Sequence, residues 1–284
     1  MTLNSPPKPR ILYAFQGTGN GHAARAVELI PILKKYAHLE VLCSGNNSQL
    51  DLPFDLDYHL EGISFSYNKK GGLSYWQTFR KANFFRFRRE VQDLDLSKYN
   101  LILNDFEPVS AYAAKKQDRP LIAISHQASF LSSKSPRPNR RHFLAEWIFR
   151  NYAPAQKAEA FHFEAYDTFI HHPVLRKEIK ELETSNQGKY LVYLPAYNEA
   201  FIKEHLIKLS NKDWIIFSKE CKQAYRELNL EFRPISGADF LNELAIDYQQ
   251  QFSQVVDTGD LAQFWNTNKD KFVLDKSESA LIEN

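Results

Sequence analysis

Arg10-Ile-Leu-Tyr-Ala-Phe-Gln-Gly-Thr-Gly-Asn-Gly-His-Ala-Ala-Arg25 is the stretch whose reading decides the fold. The apolar run from Ile11 to Phe15 predicts a buried first strand. The turn after it carries Gly17, Gly19 and Gly21, and a helix is expected from Ala23 to about Tyr36. Strand, glycine-rich turn and helix in this order open an α/β nucleotide-handling domain, where helix amides can meet an anion. The residue after the third glycine is His22, and it separates the possible chemistries.

A dinucleotide-binding fingerprint needs glycines at the first, third and sixth positions of such a turn. Here they fall at the first, third and fifth, and His22 takes the sixth, where its side chain would crowd a pyrophosphate. The second strand, about Leu39 to Cys43, ends in Ser44-Gly45-Asn46, without an acid to hold a ribose hydroxyl. Both departures argue against hydride transfer.

Composition narrows the class further. A chain of 284 residues with 43% hydrophobic and 25% charged residues suits one large or two ordinary globular domains. No window approaches the roughly 18 uncharged apolar residues of a membrane span. Met1 to Pro9 lacks the apolar core of a secretory leader. Cys43 and Cys221 stand far apart in apolar, strand-like contexts, which points to a reducing, cytoplasmic setting rather than a disulfide framework or a zinc site. A net charge of +2 is too small for bulk attraction to nucleic acid.

Strand and helix signals then alternate. Leu73 to Leu94 has helical spacing, Leu101 to Asp105 reads as a short buried strand ending in an acid, Val109 to Lys116 as helix, and Leu121 to Ser125 as another buried strand. His142 to Tyr152 reads as helix. After the polar stretch from Glu181 to Gly188 come a strand (Tyr190–Leu194), a helix (Glu199–Leu209), a strand (Trp214–Phe217), a helix (Glu220–Leu228) and a short strand at Glu231 and Phe232. The pattern implies parallel sheets with helices on both faces, one domain over residues 1–185 and a second over 186–284. Ligands bind such sheets at the carboxyl ends of the strands. His22, Asp105 and Ser125-His126-Gln127 all fall at such ends.

The turn Gly17-Thr18-Gly19-Asn20-Gly21-His22-Ala23-Ala24-Arg25 resembles the N-terminal motif of GT-B-fold glycosyltransferases. It is closest to the bacterial group related to UDP-glucuronosyltransferases and the peptidoglycan N-acetylglucosaminyltransferase. Asn104-Asp105-Phe106-Glu107-Pro108 resembles their Asp-containing fourth-strand exit, and Ser125-His126-Gln127, Tyr190–Pro195 and Phe232–Ser236 fit the family's order along residues 10–245. The resemblance implies two Rossmann-like domains facing across a cleft, and transfer of a sugar from a UDP-linked donor without metal or other cofactor. It also implies a glycine-rich, donor-binding turn after Phe240–Ala245, where this chain reads Ile246–Phe252 instead. Tyr248, Gln249 and Gln250 resemble the later donor-contacting stretch, so the C-terminal domain looks shortened.

Inverting sugar transfer needs a base to take the proton of the acceptor hydroxyl. His22 is the candidate, because an imidazole titrates ordinarily near 6.5; the alternative is a capping or packing histidine. Asp105 would hold the ring's tautomer, as a carboxylate does in a catalytic triad, or else would cap the following helix. Gly17, Thr18, Gly19, Asn20, Gly21, Arg25, Glu107, Ser125, His126 and Gln127 are the candidate substrate-binding residues. In Tyr75–Arg89, Trp76, Phe79, Phe84, Phe87, Val91 and Leu94 share one helical face, read as core. Lys81, Phe85, Arg88 and Arg89 fall outside it, with Lys69, Lys70, Lys134, Arg137, Arg140 and Arg141 as further basic neighbours. That outer set reads either as a solvated charged face or as a patch for an anionic membrane surface, peripheral on its inner face, with a lipid-linked acceptor. A nucleotide-sugar epimerase and a non-catalytic nucleotide- or sugar-binding protein remain the rival functions.

Overall fold

The structure, a computed structural model, describes residues 8–45, 52–66, 74–137, 143–181, 188–195, 197–235 and 237–247. In chain order it contains β1 (Arg10–Gln16), α1 (Asn20–Tyr36), β2 (His38–Ser44), β3 (Tyr58–Leu60), α2 (Tyr75–Lys81) and α3 (Phe84–Asp93). There follow β4 (Leu101–Asp105), α4 (Pro108–Lys116), β5 (Leu121–Ala123), a 3-10 turn over Gln127–Leu131, α5 (Phe143–Asn151), β6 (Lys157–Ala158), β7 (Ala160–Phe161), β8 (Ile170–His171) and α6 (Lys177–Lys180). The chain continues with β9 (Lys189–Tyr193), α7 (Glu199–Leu206), β10 (Asp213–Ser218), β11 (Tyr225–Glu227), β12 (Leu230–Pro234) and α8 (Gly237–Asp247). By their contacts, the described residues up to Ser64 form one unit with Ala82–Lys180. The described residues of Phe65–Lys81 and those from Glu181 onward form the other.

The first unit is built on a six-stranded sheet ordered β3-β2-β1-β4-β5-β6, parallel at every pairing. The order reverses between β1 and β4, so the crevice of a doubly wound sheet opens at the carboxyl ends of those two strands. There Phe15 pairs with Asp105. The near-continuous apolar run of β1 is explained by coverage on both faces. Tyr13 and Phe15 pack with Val41, Cys43 and Ile124 against Ala23, Ala26 and Ile30 of α1. Each large side chain so buried contributes about 1.5–3 kcal/mol, and the two alanines let the helix approach the sheet. His22 and Arg25 lie one position round from that alanine stripe.

The second unit carries a sheet ordered β11-β12-β10-β9. β9, β10 and β12 are parallel and β11 is antiparallel. Its core joins Trp214, Ile216, Leu230 and Phe232 to Tyr197, Ile202, Leu209 and Cys221. Both cysteines are free and buried.

Two sequence expectations fail here. The helix expected over 73–94 is two helices: Asn83 ends the run and caps α3 by accepting from the Arg86 amide at 2.9 Å. The common apolar face is lost with it, and Trp76 is 72% exposed. No helix forms over Glu220–Leu228: Tyr225–Glu227 is strand β11, which turns at Leu228 with φ of 53° to pair with β12. Asn229 holds that turn by donating to the Leu209 and Lys212 carbonyls.

Candidate functional site

The glycine-rich turn is shorter than its sequence suggests, because α1 already begins at Asn20 and puts His22 in its first turn. Gly19 is the N-cap and has no side chain to offer; no acid occupies the first turn. Gly17 is required by packing. Its amide donates to the Ser44 carbonyl at 2.7 Å, and a Cβ there would lie 2.6 Å from Cys43 Sγ and from the Gly45 carbonyl. Gly19 and Gly21 have open space where a Cβ would stand. Gly17 therefore joins the strand ends, and only the later glycines leave room for a ligand.

His22 and Arg25, three residues apart on α1, present neighbouring side chains and meet the same carboxylate. His22 Nδ1 lies 2.8 Å from Asp105 Oδ1, and Arg25 Nη1 donates to Asp105 Oδ2. Asp105 is fully buried, whereas the His22 and Arg25 side chains each keep 13% exposure. A carboxylate only accepts, so Nδ1–H of His22 donates to it; in the neutral ring the lone pair is then on Nε2. Burial works against ionisation of Asp105, but the Arg25 and His22 charges outweigh it and hold the carboxyl below its ordinary range.

The surroundings keep this arrangement rigid. Phe106 directly follows Asp105 with φ of 56°, a costly conformation for a non-glycine residue that clusters at functional sites. Its ring stacks on His22 with centroids 6.5 Å apart and meets Tyr152 at 4.7 Å. Gln16, at the end of β1, donates to the Tyr152 hydroxyl (2.6 Å) and the Ile63 carbonyl (2.9 Å), and accepts from Ser44 Oγ at 3.0 Å. Asn104 Nδ2 donates to the Glu107 carbonyl and to Ser110 Oγ. A cavity of about 40 Å³ beside this network is lined by Asn104, Phe106, Ser125, Leu131, Phe149 and Arg150, among others.

Several candidate residues take other roles than substrate contact. Glu107 is buried and caps α4, accepting from the Val109 and Ser110 amides at 2.8 and 2.6 Å. Burial pushes its carboxyl above the ordinary range despite the hydrogen bonds from Ser110, Ser44 and Val109. Asp105 is thereby relieved of the capping role. Arg25 is committed to Asp105 and to the Phe161 ring, 5.4 Å from its guanidinium carbon. Ser125 is buried, and its Oγ accepts from the Ala128 amide. His126 Nδ1 lies 2.9 Å from the Phe161 carbonyl and packs against His162 and Phe130. Burial, with neighbouring positive charge at His162, Arg25 and His22, lowers its pKa to about 4. Gln127 Oε1 is buried without a hydrogen-bond partner.

A family model described as glycosyl transferase family 1 matches residues 9–251. The chain belongs to that family. Its GT-B fold class, two α/β units on parallel sheets, accords with the architecture above. A search of curated protein sequences finds no match. Similar solved structures include Arabidopsis thaliana UGT89C1 complexed with UDP, at 14% identity and TM-score 0.47, over 84% of this chain and 73% of that one. Acinetobacter baumannii MurG matches at 13% and 0.41, over 82% and 71%. A Listeria monocytogenes protein provisionally described as a UDP-N-acetylglucosamine 2-epimerase matches at 10% and 0.44, over 82% and 71%.

In this family 1 chain the outer aromatic and basic residues are exposed as expected: Lys81 at the end of α2, and Phe85, Arg88 and Arg89 on α3. Phe85 is 92% exposed. Lys134 and Arg137 do not extend that set, because they pair with Asp167 and Glu146. Lys69, Lys70, Arg140, Arg141 and the donor-site candidates Tyr248, Gln249 and Gln250 lie outside the described residues. Phe106, Gln16 and Tyr152 were missed from sequence. The pairing of Arg25 with Asp105 was legible in principle from its three-residue spacing to His22.

Proposed function

We propose that this chain transfers a sugar from a UDP-linked donor to a hydroxyl acceptor, with His22 as general base and no metal in the step. The observation that carries this is the 2.8 Å contact between His22 Nδ1 and Asp105 at the strand-order reversal of the first unit. In the reaction, the acceptor oxygen bonds to the anomeric carbon as its proton passes to His22 Nε2. The bond from that carbon to the diphosphate breaks, and UDP leaves with the electron pair. Asp105 holds the ring in the tautomer that can accept and stabilises the imidazolium that forms. Phe106 stacks on the ring and Tyr152 packs on Phe106 behind it, which limits water on that face of the base.

The acceptor is proposed to be lipid-linked and reached at an anionic membrane surface, by a protein otherwise resident in the cytoplasm. Exposed Phe84 and Phe85 on α3 beside Arg88 and Arg89, and exposed Phe143 and Trp147 on α5, supply apolar and basic groups together. Phe87 of α3 packs edge-on against Tyr112 of α4 at 5.7 Å, and the Tyr112 hydroxyl donates to the Asn151 carbonyl at the end of α5. The two helices thus flank α4. No helix among the described residues is long and apolar enough to cross a membrane.

The test is calorimetric titration with UDP, UDP-glucose and UDP-N-acetylglucosamine, paired with an assay for UDP release in EDTA. Binding with EDTA-insensitive release supports transfer. Binding with no turnover supports the non-catalytic reading, and a changed sugar with no UDP released supports the epimerase.

A further inference from the structure

We propose that Arg25 sets the proton affinity of His22, its guanidinium offsetting the Asp105 charge that otherwise draws a proton onto the imidazole. The inference builds on the proposed function, which makes His22 the base. It concerns the group that acts through Asp105 rather than one that touches substrate, so Arg25 is a positioning residue.

The geometry divides one carboxylate between two partners. Asp105 Oδ1 faces His22 and Oδ2 faces Arg25, and the carboxyl is wholly buried. Arg25 is held in place from its other side by the Phe161 ring. Among the described residues, the groups set against His22 or its two partners come from several elements. Asp105 comes from β4 and Arg25 from its own helix. His126 comes from the segment after β5 and Phe106 from the turn after β4. Tyr13 of β1 is a buried phenol that senses both Asp105 and Arg25, and burial, the largest influence, holds it protonated. With His126 and Tyr13 uncharged, the fixed charge recorded around the ring among the described residues is one carboxylate and one guanidinium.

A lone buried carboxylate at hydrogen-bond distance favours the imidazolium, whereas a cation on its far oxygen opposes it. A base already protonated cannot accept the acceptor's proton. Asp105 without Arg25 would orient the ring and disable it over part of the working pH range. With Arg25, orientation is kept and the charge is balanced. A guanidinium suits this position because it stays charged at any working pH and lies flat on an aromatic face.

The experiment follows the His22 ring nitrogens by 15N NMR titration of the full chain, without substrate, in wild type, Arg25→Met and Arg25→Lys. Arg25→Met is expected to raise the His22 midpoint by about 1–2 pH units, and Arg25→Lys to restore it to within about half a unit. The acid limb of kcat/KM for UDP release should move upward by the same interval, with activity regained at high pH; a merely structural role would lower activity at every pH. An unchanged or lowered midpoint in Arg25→Met overturns the proposal, because Asp105 would then have taken the proton. If the bare carboxylate of Arg25→Met prevents folding, Asp105→Asn and the Asp105→Asn/Arg25→Met double variant read the same influence. Loss of the guanidinium there must still raise the midpoint, and no difference overturns the proposal. Because the titration needs no turnover, its outcome is independent of whether the chain transfers sugar.

Discussion

Replacing Glu107 with glutamine tests whether the acid beside the site is architecture or machinery. Both carboxylate oxygens accept main-chain N–H groups, from Val109 at 2.8 Å and Ser110 at 2.6 Å, in a side chain with no exposure. Glutamine keeps one acceptor and turns the other into an NH2 that faces an N–H. The variant loses one charge-assisted bond, about 1.5–3 kcal/mol, and strands buried donors at about 1–3 kcal/mol more. A net loss of about 3–4 kcal/mol is expected, a large fraction of an ordinary domain's stability. Urea denaturation followed by tryptophan fluorescence measures it, and UDP release at low temperature reports the site. The KM for the UDP-sugar should stay within about twofold. A stability change below about 1 kcal/mol, or a lost activity in a variant as stable as wild type, would refute the capping role and return Glu107 to the substrate pocket.

Three further outcomes follow from the structure. Gly17→Ala should cost about 1–3 kcal/mol, since its Cβ meets Cys43 Sγ and the Gly45 carbonyl, while Gly19→Ala should change the melting temperature by no more than a surface substitution does. His126 titrates at about 4 in the fold and near 6.5 unfolded. The unfolded chain therefore holds more protons between those values; His126 supports stability above about pH 6.5, and as pH falls toward 4 about 3 kcal/mol is lost. His126→Gln should remove that part of the pH dependence from denaturation midpoints measured at pH 7.5 and 4.5; an unchanged dependence contradicts it. Phe85→Glu combined with Arg88→Glu and Arg89→Glu should reduce co-sedimentation with phosphatidylglycerol vesicles at least tenfold and leave UDP release unchanged; equal sedimentation of both proteins contradicts the membrane patch.

The sequence was most readable where one force dominates. Ile11–Phe15 is an apolar run and Leu101–Asp105 an apolar run ending in Asn104 and Asp105, and both strands lie as expected. Their carboxyl ends then locate His22 and Asp105 by fold logic. Two acids competed for the cap of α4, and Pro108 at its first helical position marks Glu107, the residue just before it, as the cap. Reading that signal would have released Asp105 for His22. Glu220–Leu228 reads as helix, but over Tyr225–Glu227 pairing with β12 and the Asn229 hydrogen bonds outweigh local preference. The aromatic stretch Tyr75–Arg89 misled because a wheel assumes one continuous helix, and the Asn83 cap breaks it. Phe106 in its left-handed conformation carries no sequence signature, since phenylalanine rarely adopts it.

Sugar transfer by this site depends on the lone pair of one imidazole nitrogen. The most direct measurement is single-turnover UDP release from UDP-N-acetylglucosamine, or from whichever UDP-sugar the wild type turns over, by His22→Ala, alongside UDP-sugar affinity by calorimetry. A rate reduced about 10²–10⁴-fold is expected, with the dissociation constant within a few-fold of wild type. A His22→Ala protein that binds the donor and releases UDP at the wild-type rate would contradict it.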